Sequence, residues 1–292
     1  MWATLGVCSA VLLGLYDAAK KQTLKTNGVL TVLLVVTALS TLFVSPFFKL
    51  GTGEDYLKLA LKAVLVSVSW ISGMAALKRL PLTVVSTVKG SRPMFVVLFS
   101  ILLFGERLSL WQWIGVGLVF LSLYLTGRTS RGDGPENVRM TGFMWMGISV
   151  ISGVASALYD KTLLMDMEPM FVQCWTNLFI TILLALCLAG QNLIAGALKA
   201  GGKPGLLKAE PPLKWDWWLL VIAVLITEAD ALYFFALKEP DALLSVLSTI
   251  RRGSVVVTFI CGVLFFKEKN AKSKSLTMLV MITGVLILLF AK

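Results

Sequence analysis

Ser86–Glu106 reads STVKGSRPMFVVLFSILLFGE, and Ser248–Glu268 reads STIRRGSVVVTFICGVLFFKE. The two stretches stand 162 residues apart and align without a gap. Ser86-Thr87-Val88-Lys89 answers Ser248-Thr249-Ile250-Arg251, and Phe104-Gly105-Glu106 answers Phe266-Lys267-Glu268. The same offset carries Leu123 onto Val285. Earlier in the chain, Leu15-Tyr16-Asp17 answers Leu158-Tyr159-Asp160 at an offset of 143. Matches that keep their order along the chain describe a duplication. The expected division is a first copy over 1–127, a polar linker over 128–140 and a second copy over 141–292. The linker lies in GRTSRGDGPENVRM (Gly127–Met140), whose glycines, proline and mixed charge read as a loop.

The duplicated unit is apolar. Of 292 residues 57% are hydrophobic and 15% are charged, and mean hydropathy is +0.85. A soluble domain carries about 25% charge. The apolar residues gather in ten runs of about 20, each long enough to cross a hydrocarbon core of ~30 Å as a helix. The expected spans are 2–21, 28–47, 57–77, 82–104, 111–127, 141–162, 170–190, 215–237, 242–266 and 275–291. The fold class is therefore an all-α polytopic membrane protein, with ten transmembrane helices as two five-helix repeats. An odd number of spans per copy forces the second copy to start on the opposite side, so the repeats are inverted. The N-terminus lacks a signal-peptide pattern and reads as a retained first span. Within the second polar segment, Gln191–Lys214, the stretch Asn192–Ala200 is either a short interfacial helix or a loop.

The inventory excludes several classes of function. There is no histidine, which removes Ser/His/Asp and Cys/His nucleophilic sites and most zinc sites. Cys8, Cys174, Cys187 and Cys261 lie in apolar runs at irregular spacing and read as buried small apolar residues. No glycine-rich phosphate loop is present. The chain therefore calls for no cofactor and no metal, and it does not read as an enzyme. The net charge of +11 does not form a stripe with interleaved aromatics, so nucleic acid is not the expected partner. The expected partners are the lipid bilayer, a small-molecule substrate and a coupling proton, with the chain a monomer or homodimer. Trp2, Trp111, Trp113, Trp215, Trp217 and Trp218 stand at span ends, as an interfacial belt does.

Charges inside spans mark the site, because each costs roughly 2.5–3.5 kcal/mol to insert at the bilayer centre. Lys89 and Arg92 share a face of the fourth span, and Pro93 should break the helix near Arg92. Arg251 and Arg252 occupy the matching depth of the ninth. Inverted repeats bring the four cations together near the midplane, as an anion site or as half of a salt-bridge network. The embedded acids are Asp17, Asp160, Glu228 and Asp230. Asp17 has Lys20 and Lys21 at i+3 and i+4, the spacing of a local ion pair. Glu228 and Asp230 either neutralise Arg251 and Arg252 or carry a coupling proton, a role for which Asp17 and Asp160 are further candidates. Tyr16, Tyr159, Trp70, Gln173, Thr176, Asn177 and Tyr233 are candidate cavity-lining residues. Glu106 and Glu268 close their spans as interfacial caps.

These features, together with VVLFSILLFGERLSLWQWIGVGLVFLSLYL (Val96–Leu125), resemble the EamA-type drug/metabolite transporter superfamily. The resemblance implies a ten-span transporter. Within that superfamily, Val88-Lys89-Gly90-Ser91-Arg92-Pro93 and Ile250-Arg251-Arg252 look similar to the phosphate-binding positions of triose-phosphate translocators, which use a lysine in the fourth span and a Lys-Arg pair in the ninth. Lys89 and Arg252 match that pattern, and Arg251 replaces a lysine. Arg92, Glu228 and Asp230 depart from it.

The expected function is secondary transport, by alternating access, of a small metabolite that is zwitterionic or anionic, phosphorylated metabolites included. Export of amino acids or amphipathic drugs is the alternative, and a membrane-embedded transferase fits less well. A bacterial inner membrane is the expected location. Of 27 Lys and Arg, 16 fall in loops after odd-numbered spans, against 7 in the termini and the other loops. The positive-inside rule then makes the odd loops cytoplasmic and both termini extracytoplasmic. A periplasmic-type reporter fused at Lys292 should be active and a cytoplasmic one dark; the reverse pattern inverts the assignment.

Overall fold

The computed structural model describes residues 2–92, 94–95, 109–130, 135–200, 210–238, 250–268 and 270–290. Their elements are helices: α1 (Trp2–Thr23), α2 (Val29–Val44), α3 (Gly53–Arg79), α4 (Leu82–Gly90), α5 (Leu110–Thr129), α6 (Glu136–Asp166), α7 (Pro169–Ala200), α8 (Trp217–Lys238), α9 (Ser254–Leu264) and α10 (Ala271–Phe290), with a 3-10 turn at Ser45–Phe47. No strand occurs among the described residues. Four stretches, Val29–Phe47, Gly53–Arg79, Glu136–Tyr159 and Pro169–Ala197, are long and apolar enough to cross a membrane. The expected spans 82–104 and 242–266 are described only in part, and Pro93 and Glu106 lie outside the described residues.

Local chemistry sets several ends. Thr52 and Asp55 close a capping box at the start of α3, each side chain bonding the other's backbone N–H. Pro135 stands just before α6, and the helix starts at Glu136, so the connection is shorter than the expected 128–140 linker. Asn192–Ala200 is neither a separate helix nor a loop, because α7 runs unbroken through it.

The outer faces carry Leu57, Leu186, Phe120 and Phe235, whereas Ser9, Ser67, Ser69, Ser72, Thr83, Ser86 and Thr87 are buried. Small hydroxyl residues inside and large apolar ones outside is the distribution expected where lipid surrounds the helices. It also corrects the cysteine expectation. Cys174 and Cys261 are buried, but Cys8 and Cys187 are exposed. An apolar residue is equally at home on either face of such a helix.

The helices pair in a reciprocal pattern. The α3–α6 crossing has its counterpart in α8–α1, and α3–α7 in α8–α2, while α2–α7, α4–α9 and α5–α10 pair like with like. Finer contacts follow the 162-residue offset. The Ser91 N–H donates to Val88 O at 3.1 Å and the Met94 N–H to Ser91 O at 3.0 Å. Likewise the Gly253 N–H donates to Ile250 O at 2.8 Å and the Val256 N–H to Gly253 O at 3.0 Å. Both helical paths therefore tighten into a turn at matching positions, at the depth where a break was expected. In the α5–α10 crossing, Ser122 Oγ donates to Thr277 O at 2.6 Å. Its offset mate, Gly284, lies so close to Gly115 that an added Cβ would meet Gly115 O at 2.9 Å.

Loops gather in two polar layers. In one, Asn27 and Lys214 exchange hydrogen bonds of 3.1 and 2.8 Å. In the same layer Lys21 donates to Leu77 O at 2.5 Å and to Leu80 O, at the C-terminal end of α3. Glu268 accepts from the Leu82 N–H at 2.5 Å, the Thr83 N–H at 3.1 Å and the Thr83 hydroxyl, at the start of α4. An ammonium on a helix C-terminus and a carboxylate on an N-terminus complement both dipoles of the α3–α4 corner. Glu268, expected as an interfacial cap closing its span, caps the start of α4. In the second layer, Lys49 pairs with Glu168 at 2.6 Å and Trp175 Nε1 donates to Lys49 O at 2.8 Å.

The α5–α10 crossing yields a direct check. Gly284→Ala drives a Cβ into backbone and should cost about 1–3 kcal/mol, lowering the melting temperature of the detergent-extracted protein. Gly117→Ala, whose added Cβ has nothing within 4 Å, should leave it unchanged.

Candidate functional site

Helical spacing points one side of several helices at a common space. Leu13, Tyr16, Asp17 and Lys20 follow each other at i, i+3, i+4 and i+7 on α1, and Trp70, Gly73, Met74 and Leu77 do the same on α3. With Ser149 and Gly153 of α6, Ile226 and Tyr233 of α8 and a face of α10, they line a cavity of about 510 Å³. The tightened turns of the α4 and α9 paths deliver its charges: Lys89 and Arg92 from one, Arg251 and Arg252 from the other.

Two carboxylates engage these cations. Asp17 accepts from Lys89 Nζ at 2.9 and 2.8 Å and from Lys20 Nζ at 2.6 Å. Lys20 also lies 3.9 Å above the Tyr16 ring. Asp230 pairs with Arg251 and accepts from Gln173 Nε2 at 3.3 Å. The Arg251 guanidinium lies 4.4 Å over the Tyr233 ring, a cation–π arrangement. Arg92 reaches across the α3–α6 crossing, with its Nη2 3.3 Å from Ser149 O and 3.4 Å from Ser69 Oγ. It fits there because Gly153 has no side chain: an added Cβ would lie 2.9 Å from the guanidinium carbon. The buried Nε atoms of Arg92 and Arg251 have no acceptor among the described residues. No ion pair joins Arg252 to a described residue, and it is exposed at the cavity.

A second, water-sized chamber of about 10 Å³ lies against Tyr16 and Trp70. Gln173 and Asn177, one turn apart on α7, line it with Thr227 and Asp230. Asn177 thus belongs to this chamber and not to the main cavity. Tyr159 lines neither; it packs against the cluster of Leu59, Leu163, Phe171 and Val172. Thr176 is buried away from both. The Asp160 side chain lies outside the described residues.

Two expectations are corrected. Glu228 does not accompany Asp230: residues two apart on an α-helix point about 200° away from each other, and Glu228 is exposed on the outer face of α8. Lys21 does not hold Asp17, because it serves the α3–α4 corner; Lys89, 72 residues away, takes that place. Reasoning from the chain also missed the neutral cavity walls, above all the face of α10 made by Met278, Met281, Ile282, Val285 and Leu286. Their i, i+3, i+4, i+7, i+8 spacing was readable, but every span has such a stripe.

Residues 1–128 match the family model described as the EamA-like transporter family. A solved structure titled "Crystal structure of protein" superposes with a TM-score of 0.62 at 16% identity, over 98% of this chain and 95% of that one. That likeness concerns the fold alone. No curated protein matches the chain. Over its first 128 residues the chain is thus similar to the EamA-like transporter family, whose members are membrane transporters of the drug/metabolite type.

Proposed function

We propose that the protein is a secondary active transporter of a small organic anion, working by alternating access between two inverted five-span repeats. The observation that carries the ligand charge is the imbalance at the cavity. Five cations, Lys20, Lys89, Arg92, Arg251 and Arg252, line the cavity with one carboxylate, Asp17, among the described residues, and Asp230 reaches Arg251 from the adjoining small chamber. Two buried guanidinium Nε–H groups there lack acceptors, and an anion satisfies both deficits. The inverted repeat is supported by the matched turns at Ser91 and Gly253, the paired contacts of Ser122 and Gly284 and the reciprocal helix pairing. Ten spans follow from those repeats, with the fourth and ninth passing through the two turns.

Asp17 and Asp230 take on Lys89 and Arg251 the places that an anion would occupy. An entering anion competes with them and is held by arginine forks and a lysine point charge. A charge-assisted contact is worth about 1.5–3 kcal/mol, so Arg252→Gln should weaken affinity roughly 10- to 150-fold. The measurement is saturable uptake of radiolabelled monocarboxylates and phosphate monoesters into proteoliposomes. Unchanged half-saturation in well-folded Arg252→Gln protein removes the anion site.

Asp230 is the carboxylate placed to carry a coupling proton. Protonating it breaks the pair with Arg251 and frees that guanidinium for the substrate. Asp230→Asn should therefore abolish accumulation driven by a pH gradient while preserving counterflow exchange. Concentrative uptake by this variant under a pH gradient would assign the coupling elsewhere.

A further inference from the structure

We infer that the transported anion has a hydrophobic body with few hydroxyl groups, an organic acid with an aromatic or branched aliphatic tail and not a sugar phosphate. This rests on the anion reading above and deepens it. The wall that α10 presents to the cavity is wholly apolar, made by Met278, Met281, Ile282, Val285 and Leu286. Its shape is fixed from behind, since Met281 and Val285 also pack with Val116 and Val119 of α5. Met74, Leu77 and the Trp70 ring continue the apolar lining on α3. Methionine adapts to irregular apolar shapes, so this lining suits a hydrophobic body without fixed hydrogen-bonding geometry.

Groups that recognise a polyol are few in the same space beyond the hydroxyls of Tyr16, Tyr233 and Ser254, and the two tyrosine rings carry Lys20 and Arg251. No asparagine, glutamine or threonine lines the main cavity among the described residues. Ser69 Oγ donates to Ser149 O at 2.9 Å and Ser149 Oγ to Ser69 O at 2.7 Å, so both hydroxyl protons are spent on backbone. A sugar phosphate would satisfy the arginines but bury several hydroxyls against methyl and methylene groups, which costs affinity for each one left unpaired. An apolar tail gains from the same contact. The cations are thus left to the ligand's ionised group, and the rest of its surface meets hydrocarbon. The cavity, at about 510 Å³, has room for both.

Three probes of the purified full chain in lipid nanodiscs separate the possibilities: 3-phenylpropanoate, glycerol 3-phosphate and 3-phenylpropan-1-ol. Binding is read by calorimetry against empty nanodiscs. The expected result is that 3-phenylpropanoate binds at least tenfold tighter than glycerol 3-phosphate and at least tenfold tighter than the alcohol. Leu286→Ala, on a half-exposed wall position, should weaken the phenyl acid and leave glycerol 3-phosphate unchanged. Glycerol 3-phosphate binding as tightly as the phenyl acid overturns the hydrophobic body and leaves the anion reading standing. The alcohol binding as tightly as the acid overturns the anion reading itself. Binding of none of the three overturns both.

Discussion

Ionised side chains inside an apolar bundle are the constraint around which this protein is arranged. A lone charge in hydrocarbon is expelled or neutralised, so each buried cation that persists must be repaid by a partner or by function. Asp17 and Asp230 provide that partnership. They stand on α1 and α8, continuous helices that cross the two interrupted paths carrying Lys89 and Arg251. The ion pairs therefore do more than balance charge: they hold the broken helical paths against intact ones, and breaking either leaves an uncompensated charge.

The close crossings that bring these pairs together depend on small residues. Gly14 lets α1 approach α9, where an added Cβ would lie 2.4 Å from that of Val257. Gly153 makes room for the Arg92 guanidinium, and the serine pair between α3 and α6 ties down the crossing that Arg92 spans. On the side where Lys21 and Glu268 meet the α3–α4 corner, each ionised side chain completes a helix end from a different part of the chain. Glu268 stands 186 residues from Leu82, so the start of α4 is completed by a side chain remote in sequence.

The cavity inherits its character from this arrangement. Three cations, Lys20, Lys89 and Arg251, are held by carboxylates and so can be surrendered to a competitor, whereas Arg92 and Arg252 have no carboxylate among the described residues. Beside them runs the apolar face of α10, backed by α5. A site that joins charged groups to a hydrocarbon wall selects by shape and hydrophobicity as much as by charge. The similarity of residues 1–128 to a transporter family fits a site that binds.

Composition, run length and the matched stretches at Ser86 and Ser248 determined the helical class and singled out the four cations, because these depend on covalent order and on periodicity within single helices. Residues three or four apart must share a face, so Lys89 with Arg92 and Asp17 with Lys20 were legible. Pairings between helices were not. Asp17 meets Lys89 and not Lys21, and Asp230 faces inward while Glu228 does not, because the rotation of each helix about its axis is set by neighbours remote in sequence. In a soluble protein the apolar face announces that rotation. Here lipid and core are both apolar, so only packing at small residues such as Gly14, Gly153 and Gly284 decided which stripe of α1, α6 or α10 turns inward, and hence what lines the cavity.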